Sequence, residues 1–423
     1  MERRRFLGLA TGVAGAAGLA ASGCGTGAGT GEGALKLIAA DYGDPGGDNS
    51  SRDYWEQVSR AFTKKNPGIT VDVEVYSWND VDKKVADLVR DGKAPDIAQI
   101  GAYANYASQD KLYPASDVLS IPTQADFIPG LAEAGEVIRV QYGLPFAAST
   151  RLLFFNKTLF AKAGLDPSDP PKSWSDLKSA AKALKSSGVK IPYGLPLGPE
   201  EAPAETMMWM LSAGGGYADE VGTYTIDSEE NVEAFRWLKD DLVGAKLTNP
   251  DPGGTDRQTL FDAFSRGEVG MLNGHPTLMQ QAKRGGVDYG TAELPGKDGT
   301  AKATMGVADW LMAFKQNGRR KEIAKFLNFV YDEKNHYAFA DRYDMLPVTT
   351  SASRRMRQDS SHKKLWRFLD QLSSAEFYPA GKVSWAHVSA DIKENIGKAV
   401  TDDPANVLGS LQRKAEAEES SSR

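Results

Sequence analysis

Leu35-Lys36-Leu37-Ile38-Ala39-Ala40 and Val71-Asp72-Val73-Glu74-Val75-Tyr76, with Asp96-Ile97-Ala98-Gln99-Ile100 after them, decide the fold of this chain. The first is an apolar run of strand length and predicts a buried strand. Between it and the second, Trp55, Val58 and Phe62 recur at i, i+3 and i+7, one face of a helix that Asn66-Pro67-Gly68 stops. Residues 69–76 alternate Val71, Val73 and Val75, which predicts a second strand. Val81, Val85, Leu88 and Val89 form another helical stripe before the strand at Asp96–Ile100. Strand, helix, strand, helix, strand predicts a parallel sheet with right-handed crossovers.

A second unit begins near Thr150. Leu152–Phe155 reads as a strand, and Ser173 with Asp176 three residues on reads as a capping box in which Asp stands for Glu. A helix with Leu177, Ala181 and Leu184 on one face follows. Helical stripes recur at Phe235, Leu238 and Leu242; at Leu260, Phe261 and Phe264; at Ile323, Phe326, Leu327, Val330 and Tyr331; at Leu365, Leu369 and Leu372; and at Trp385, Val388, Ile392 and Ile396. Val269–Leu272 is a further strand. The tail Lys414–Arg423 is charged and Ser-rich, and predicts a helical start with a frayed end. No internal repeat is present, which disfavours solenoids and propellers. Two α/β lobes place ligands beyond the carboxyl ends of strands. That points to the loops Asp41–Asp48, Gly101–Tyr106, Phe146–Arg151 and Asn273–Thr277.

Composition narrows the function. The chain has 423 residues, 41% hydrophobic and 25% charged, with a net charge of −6 and a single cysteine. A disulfide framework and a thiolate zinc cluster are excluded, and no general nucleic-acid binder is expected at this charge. No strongly apolar run long enough to span a bilayer follows residue 25. Arg3-Arg4-Arg5 precede a Gly/Ala-rich apolar stretch, Phe6–Ala21, and then Ser22-Gly23-Cys24, the layout of an export signal. Arg3-Arg4-Arg5-Phe6-Leu7 resembles a twin-arginine signal. Ala21-Ser22-Gly23-Cys24 resembles a bacterial lipobox, with Ala21 where leucine is usual. The expectation is a signal peptide over 1–23, lipidation of Cys24, anchorage on the outer face of the cytoplasmic membrane, and a tether over 24–34.

Catalytic signatures are missing: there is no H-E-x-x-H, no G-x-S-x-G and no phosphate-binding loop. The expectation is no cofactor, no metal and no enzyme. A glycan-active exported enzyme stays open as an alternative, because two carboxyls about 5–10 Å apart suffice for glycoside hydrolysis and the chain has 56 Asp and Glu.

Several segments resemble the extracellular solute-binding protein family 1, the sugar-binding proteins of ABC importers similar to maltose- and glycerol-phosphate-binding proteins. They include Phe62-Thr63-Lys64-Lys65-Asn66-Pro67-Gly68, Ala94-Pro95-Asp96-Ile97, Tyr142-Gly143-Leu144-Pro145-Phe146, Phe154-Phe155-Asn156-Lys157, Pro171-Lys172-Ser173-Trp174, Ala263-Phe264-Ser265-Arg266-Gly267, Asn273-Gly274-His275-Pro276 and Leu346-Pro347-Val348. The resemblance implies a periplasmic-binding-protein-like (type II) α/β fold, two lobes with a ligand cleft and hinge. It puts the amino lobe at 35–149 plus 307–345 and the carboxyl lobe at 150–306 plus 346–423, with crossings near Ala148–Arg151, Thr304–Ala308 and Met345–Val348. It implies a monomer that captures a sugar, an oligosaccharide above all, and delivers it to ABC permease subunits. A glycerophosphodiester or another phosphate ester is the alternative ligand.

A sugar offers a C–H face for aromatic rings and a rim of hydroxyls for polar groups. By the resemblance, Asp41, Tyr42 and Asp44 after the first strand are ligand candidates, as are Ser149, Thr150 and Arg151 at the first crossing. Gly306, Asp309 and Trp310 occupy the second crossing, and Trp385 starts a late helix where relatives stack sugar. Tyr103 is a stacking candidate or a loop aromatic covering the core. Trp209 and Tyr217 flank Gly214-Gly215-Gly216, although Met207, Met208 and Met210 point Trp209 toward the core. His275 stands where many relatives have an aromatic ring. Trp78 and Trp174 are read as packing tryptophans and left out.

Overall fold

The computed structural model describes residues 33–42, 50–78 and 80–422. The export signal, Cys24, nearly all of the tether and Asp44 lie outside the described residues.

Strands Val71–Tyr76, Leu35–Ala40 and Ile97–Ile100 pair side by side and parallel, as the alternation of elements predicts. The helix Arg52–Lys65 covers one face of this sheet. It buries Trp55, which stacks on Phe146 at 4.9 Å, and Phe62, which meets Phe326 edge-on at 5.1 Å. The sheet then continues with two strands from far along the chain, Val307–Ala313 and Leu144–Ser149. Val307–Ala313 runs antiparallel to both of its neighbours. Its register against Leu144–Ser149 shifts between Asp309 and Trp310, opposite Ala147 and Pro145. Pro145 has no N–H to give to the ladder, which fits a break there. Such a bulge re-aims side chains, and here it acts on Asp309 and Trp310.

A second sheet has the order Tyr289–Ala292, Leu152–Asn156, Val269–Gly274, Ile191–Gly194. Helix Trp174–Ser186 lies over it and opens with the expected capping box: Asp176 N–H donates to Ser173 Oγ at 3.1 Å and Ser173 N–H donates to Asp176 Oδ2 at 3.0 Å. Ser173→Ala removes the cap and should cost about 1 kcal/mol. Urea unfolding followed by the helical circular dichroism signal checks this. The last helix, Pro404–Ser421, contains the expected helical start of the tail and continues to Ser421 in place of the expected frayed end. Leu408, Leu411 and Ala415 bury one face of it, and Asp403 caps its start by accepting from Asn406 N–H at 3.0 Å.

The two sheets are joined at close quarters. Only Thr150 and Arg151 separate Ser149, the end of one sheet strand, from Leu152, the start of another. Gly306 alone separates Thr304–Met305, which pairs with Ala375–Glu376, from Val307–Ala313. A Cβ on Gly306 would lie 2.5 Å from the Phe377 ring, so the close approach requires glycine. Thr304 Oγ1 accepts from Arg151 N–H at 3.3 Å and donates to Arg151 O at 2.9 Å, which ties these two crossings together. Further along, Leu346 bridges to Ala148 and Thr349 to Phe127, and His362 Nε2 lies 2.7 Å from Asp341. Helix Lys363–Gln371 then brings Phe368 to Phe154 of the second sheet, 6.1 Å between centroids.

Candidate functional site

Between the two sheets lies a cleft of about 670 Å³. Its amino-lobe wall starts at the carboxyl end of Leu35–Ala40. Asp41 is spoken for there: its carboxylate accepts from Ser50 Oγ (2.6 Å), Ser51 N–H (2.7 Å) and Ser51 Oγ (3.2 Å), and so anchors the start of the next helix. Tyr42 points into the cleft and donates from its hydroxyl to Asp309 Oδ2 at 2.6 Å, while Gln99 Nε2 donates to the same hydroxyl at 3.0 Å. Trp78, two residues past the strand Val71–Tyr76, is 36% exposed and meets Tyr42 edge-on at 5.7 Å. Trp310 completes this wall.

The opposite wall is more charged. Glu200 and Glu201 follow the strand Ile191–Gly194, and Arg257 opens the helix Arg257–Ser265. The Arg257 guanidinium lies 2.7 Å from Glu200 and 3.6 Å from Glu201. Arg151 is buried and donates from Nη1 to Ser149 Oγ at 3.0 Å. His275, Trp385 and the segment Phe377–Ala380 close the cleft.

The cleft therefore gathers Asp41, Tyr42, Ser149, Arg151, His275, Gly306, Asp309, Trp310 and Trp385. Four other candidates sit elsewhere. Tyr103 is fully buried, donates to Ala134 O at 2.5 Å and braces Trp310 edge-on at 5.2 Å. Thr150 turns away from the cleft and donates to Phe368 O at 2.9 Å. Trp209 is a core residue packed with Trp174 and Trp237. Tyr217 is buried with its hydroxyl 2.5 Å from Thr206, and its ring backs Trp385 at 5.3 Å. No group of His, Cys, Asp and Glu among the described residues could hold a metal ion, and no helix among them is long and apolar enough to cross a membrane.

Residues 48–337 match the profile of the bacterial extracellular solute-binding proteins. The chain belongs to this family. A Brucella abortus protein described as a binding protein is 28% identical over 394 residues, covering 91% of this chain and 93% of its own. The sn-glycerol-3-phosphate-binding periplasmic protein UgpB of Escherichia coli K12 is 26% identical over 330 residues, covering 73% of this chain and 74% of its own. Among solved structures, the cyclic α-maltosyl-1,6-maltose binding protein of Arthrobacter globiformis superposes with a TM-score of 0.77. It is 20% identical and covers 92% of this chain and 99% of its own, a likeness of fold.

Sequence reading of this solute-binding protein misses Trp78, Glu200, Glu201, Arg257, Phe377 and Tyr378. Trp78 carries a usable signal, since it follows a strand's carboxyl end. Glu200 and Arg257 carry none, because they meet only in space.

Burial tunes the site. It lifts Asp309 from its ordinary 3.8 to about 7, with the charges of Glu201 and Asp82 adding to the effect and the Tyr42 hydrogen bond and Arg151 opposing it. Burial likewise lifts Glu205, behind the charged wall, from 4.5 to about 8 against the pull of Arg151 and Arg257. Both shifts are upward, so each proton is held more tightly in the folded state. The stability this adds is fully present below the ordinary value and is lost as pH rises through the folded value. Melting temperature should therefore fall between pH 4 and pH 7 on account of Asp309. Asp309→Asn should flatten the profile in that window, checked by calorimetric scans of both proteins.

Proposed function

We propose that this chain is the lipid-anchored substrate-binding component of an ABC importer, a monomer that captures an oligosaccharide between its lobes and hands it to the permease without chemical change. The observation that carries the reading is the pairing of surfaces in the cleft. Trp78 and Tyr378 offer part-exposed rings, the buried Trp310 and Trp385 line the cleft beside them, and Asp309, Tyr42, Ser149 and His275 offer hydroxyl partners. Rings cover a sugar's C–H face while polar groups bind its rim. A second cavity of about 900 Å³ shares Phe377, Tyr378 and Ala380 with the first, which gives room beyond a single ring. Several similar structures hold sugars, among them a sugar transporter of Arthrobacter chlorophenolicus with laminaribiose bound.

A phosphate ester is the second reading, favoured by Arg151 and Arg257 in the cleft and by the likeness to UgpB. Against it, Arg257 is already paired with Glu200 and Glu201, and Asp41, Asp82 and Asp309 line the same space. A thermal-shift screen separates the two. A ligand with a Kd of about 10 µM, supplied at about 1 mM, stabilises by about 2.7 kcal/mol. Stabilisation by an oligosaccharide supports the proposal, and stabilisation by sn-glycerol 3-phosphate with no response to any glycan replaces it. Cys24→Ala, expressed with the full export signal, is expected to move the protein from the membrane fraction to the soluble one while leaving ligand binding intact.

A further inference from the structure

The charged wall of the cleft contains polar atoms that nothing in the fold satisfies. Arg151 Nε, His275 Nε2 and Gln281 Oε1 are all buried without a hydrogen-bond partner and line the same cavity, as does Arg257 Nε, whose guanidinium is otherwise held by Glu200 and Glu201. Buried polar groups are nearly always paired, so four orphans around one space mark a place where a polar ligand belongs; the three outside the Arg257 ion pairs are free to recognise it. Their positions are firmly built. Arg151 is fixed by its Nη1 bond to Ser149 and by the two backbone bonds to Thr304. His275 follows the strand Val269–Gly274, its Nδ1 lies 2.9 Å from Thr277 Oγ1, and its ring lies 5.1 Å from that of Phe261. Gln281 sits one turn along the helix Thr277–Arg284 from Thr277.

The three atoms differ in kind. Arg151 Nε can only donate and Gln281 Oε1 can only accept. His275 is neutral, because burial and the charges of Arg151 and Arg257 hold its pKa well below 6.5. The Thr277 hydroxyl can rotate to match either tautomer, so His275 Nε2 can serve as donor or acceptor. A carboxylate or phosphate would satisfy the donors, leave Gln281 Oε1 unpaired and face Glu200 and Glu201. An apolar group would leave all three unpaired. Two adjacent hydroxyls each give and take a hydrogen bond and fit Arg151, His275 and Gln281 together. We propose that Arg151, His275 and Gln281 form a subsite that reads a vicinal diol on one ring of the ligand and sets specificity there. This rests on the sugar reading above.

The test has two arms, both by titration calorimetry. The first titrates the wild-type protein with maltose, laminaribiose, maltotriose and cellobiose to find a bound glycan. The second titrates that glycan and its monodeoxy derivatives into wild type, His275→Phe and Gln281→Met, each checked for folding by its melting curve. Gln281→Met keeps the helix and the volume if His275→Phe fails to fold. Wild type is expected to lose roughly 10- to 100-fold in affinity when either of two neighbouring hydroxyls is removed. The variants should bind the parent glycan more weakly and discriminate those deoxy derivatives by less than about 3-fold. Undiminished discrimination in a folded variant overturns the subsite and leaves the sugar reading standing. Failure of every glycan to bind wild type overturns both.

Discussion

Replacing Arg257 by leucine is expected to destabilise the protein by about 2 kcal/mol, between the sizes for an exposed pair and a fully buried one, because its carboxylate partners are about a third exposed. Arg257 holds Glu200 at 2.7 Å and Glu201 at 3.6 Å, with its side chain 17% exposed. Glu205, buried behind them, also feels its charge. Without Arg257, the charges of Glu200 and Glu201 crowd one wall of the cleft, with Glu205 joining them as it loses its proton near pH 8. Protonation relieves that crowding, so the variant should recover part of the loss at pH 5 and be worst at pH 8. Guanidinium unfolding at both pH values measures this. A loss below about 1 kcal/mol, the size for an exposed pair, would show that the cluster is open to solvent in the working protein.

The second large effect falls on binding. Trp78→Ala should weaken ligand affinity about 30-fold, equivalent to about 2 kcal/mol, with little change in melting temperature. Trp78 is 36% exposed, so the core does not depend on it. Its ring is held edge-on by Tyr42, which Asp309 and Gln99 hold in turn, so the plate is set before ligand arrives. A preset plate loses little entropy on binding. Trp78→Phe should keep most of the affinity. Equal affinity of Trp78→Ala and wild type for a glycan would place that glycan away from the amino-lobe wall.

These two residues also show where sequence reading stops. The parallel core of the first sheet is legible, because Leu35–Ala40, Val71–Tyr76 and Ile97–Ile100 and their helices carry local periodicity. The insertion of Val307–Ala313 between Ile97–Ile100 and Leu144–Ser149 is not legible locally, since the pairing spans about half the chain. Trp78 and Trp209 are the same residue type with opposite fates. One stands past a strand's end, 36% exposed, and the other is enclosed by Trp174 and Trp237. Thr150 and Arg151 are chain neighbours in an extended crossing, where successive side chains point to opposite sides. That geometry sends Arg151 to the cleft and Thr150 to Phe368. Arg257 and Glu200 are 57 positions apart, and nothing in either segment announces the other.

The central claim is that the interlobe cleft binds a neutral oligosaccharide. Calorimetric titration of the folded protein with unsubstituted oligosaccharides and, in parallel, sn-glycerol 3-phosphate tests it most directly. The account predicts one saturable site for an oligosaccharide, weakened in Trp78→Ala, and no heat of binding from the phosphate ester. Saturable binding of sn-glycerol 3-phosphate with none from any glycan would contradict it.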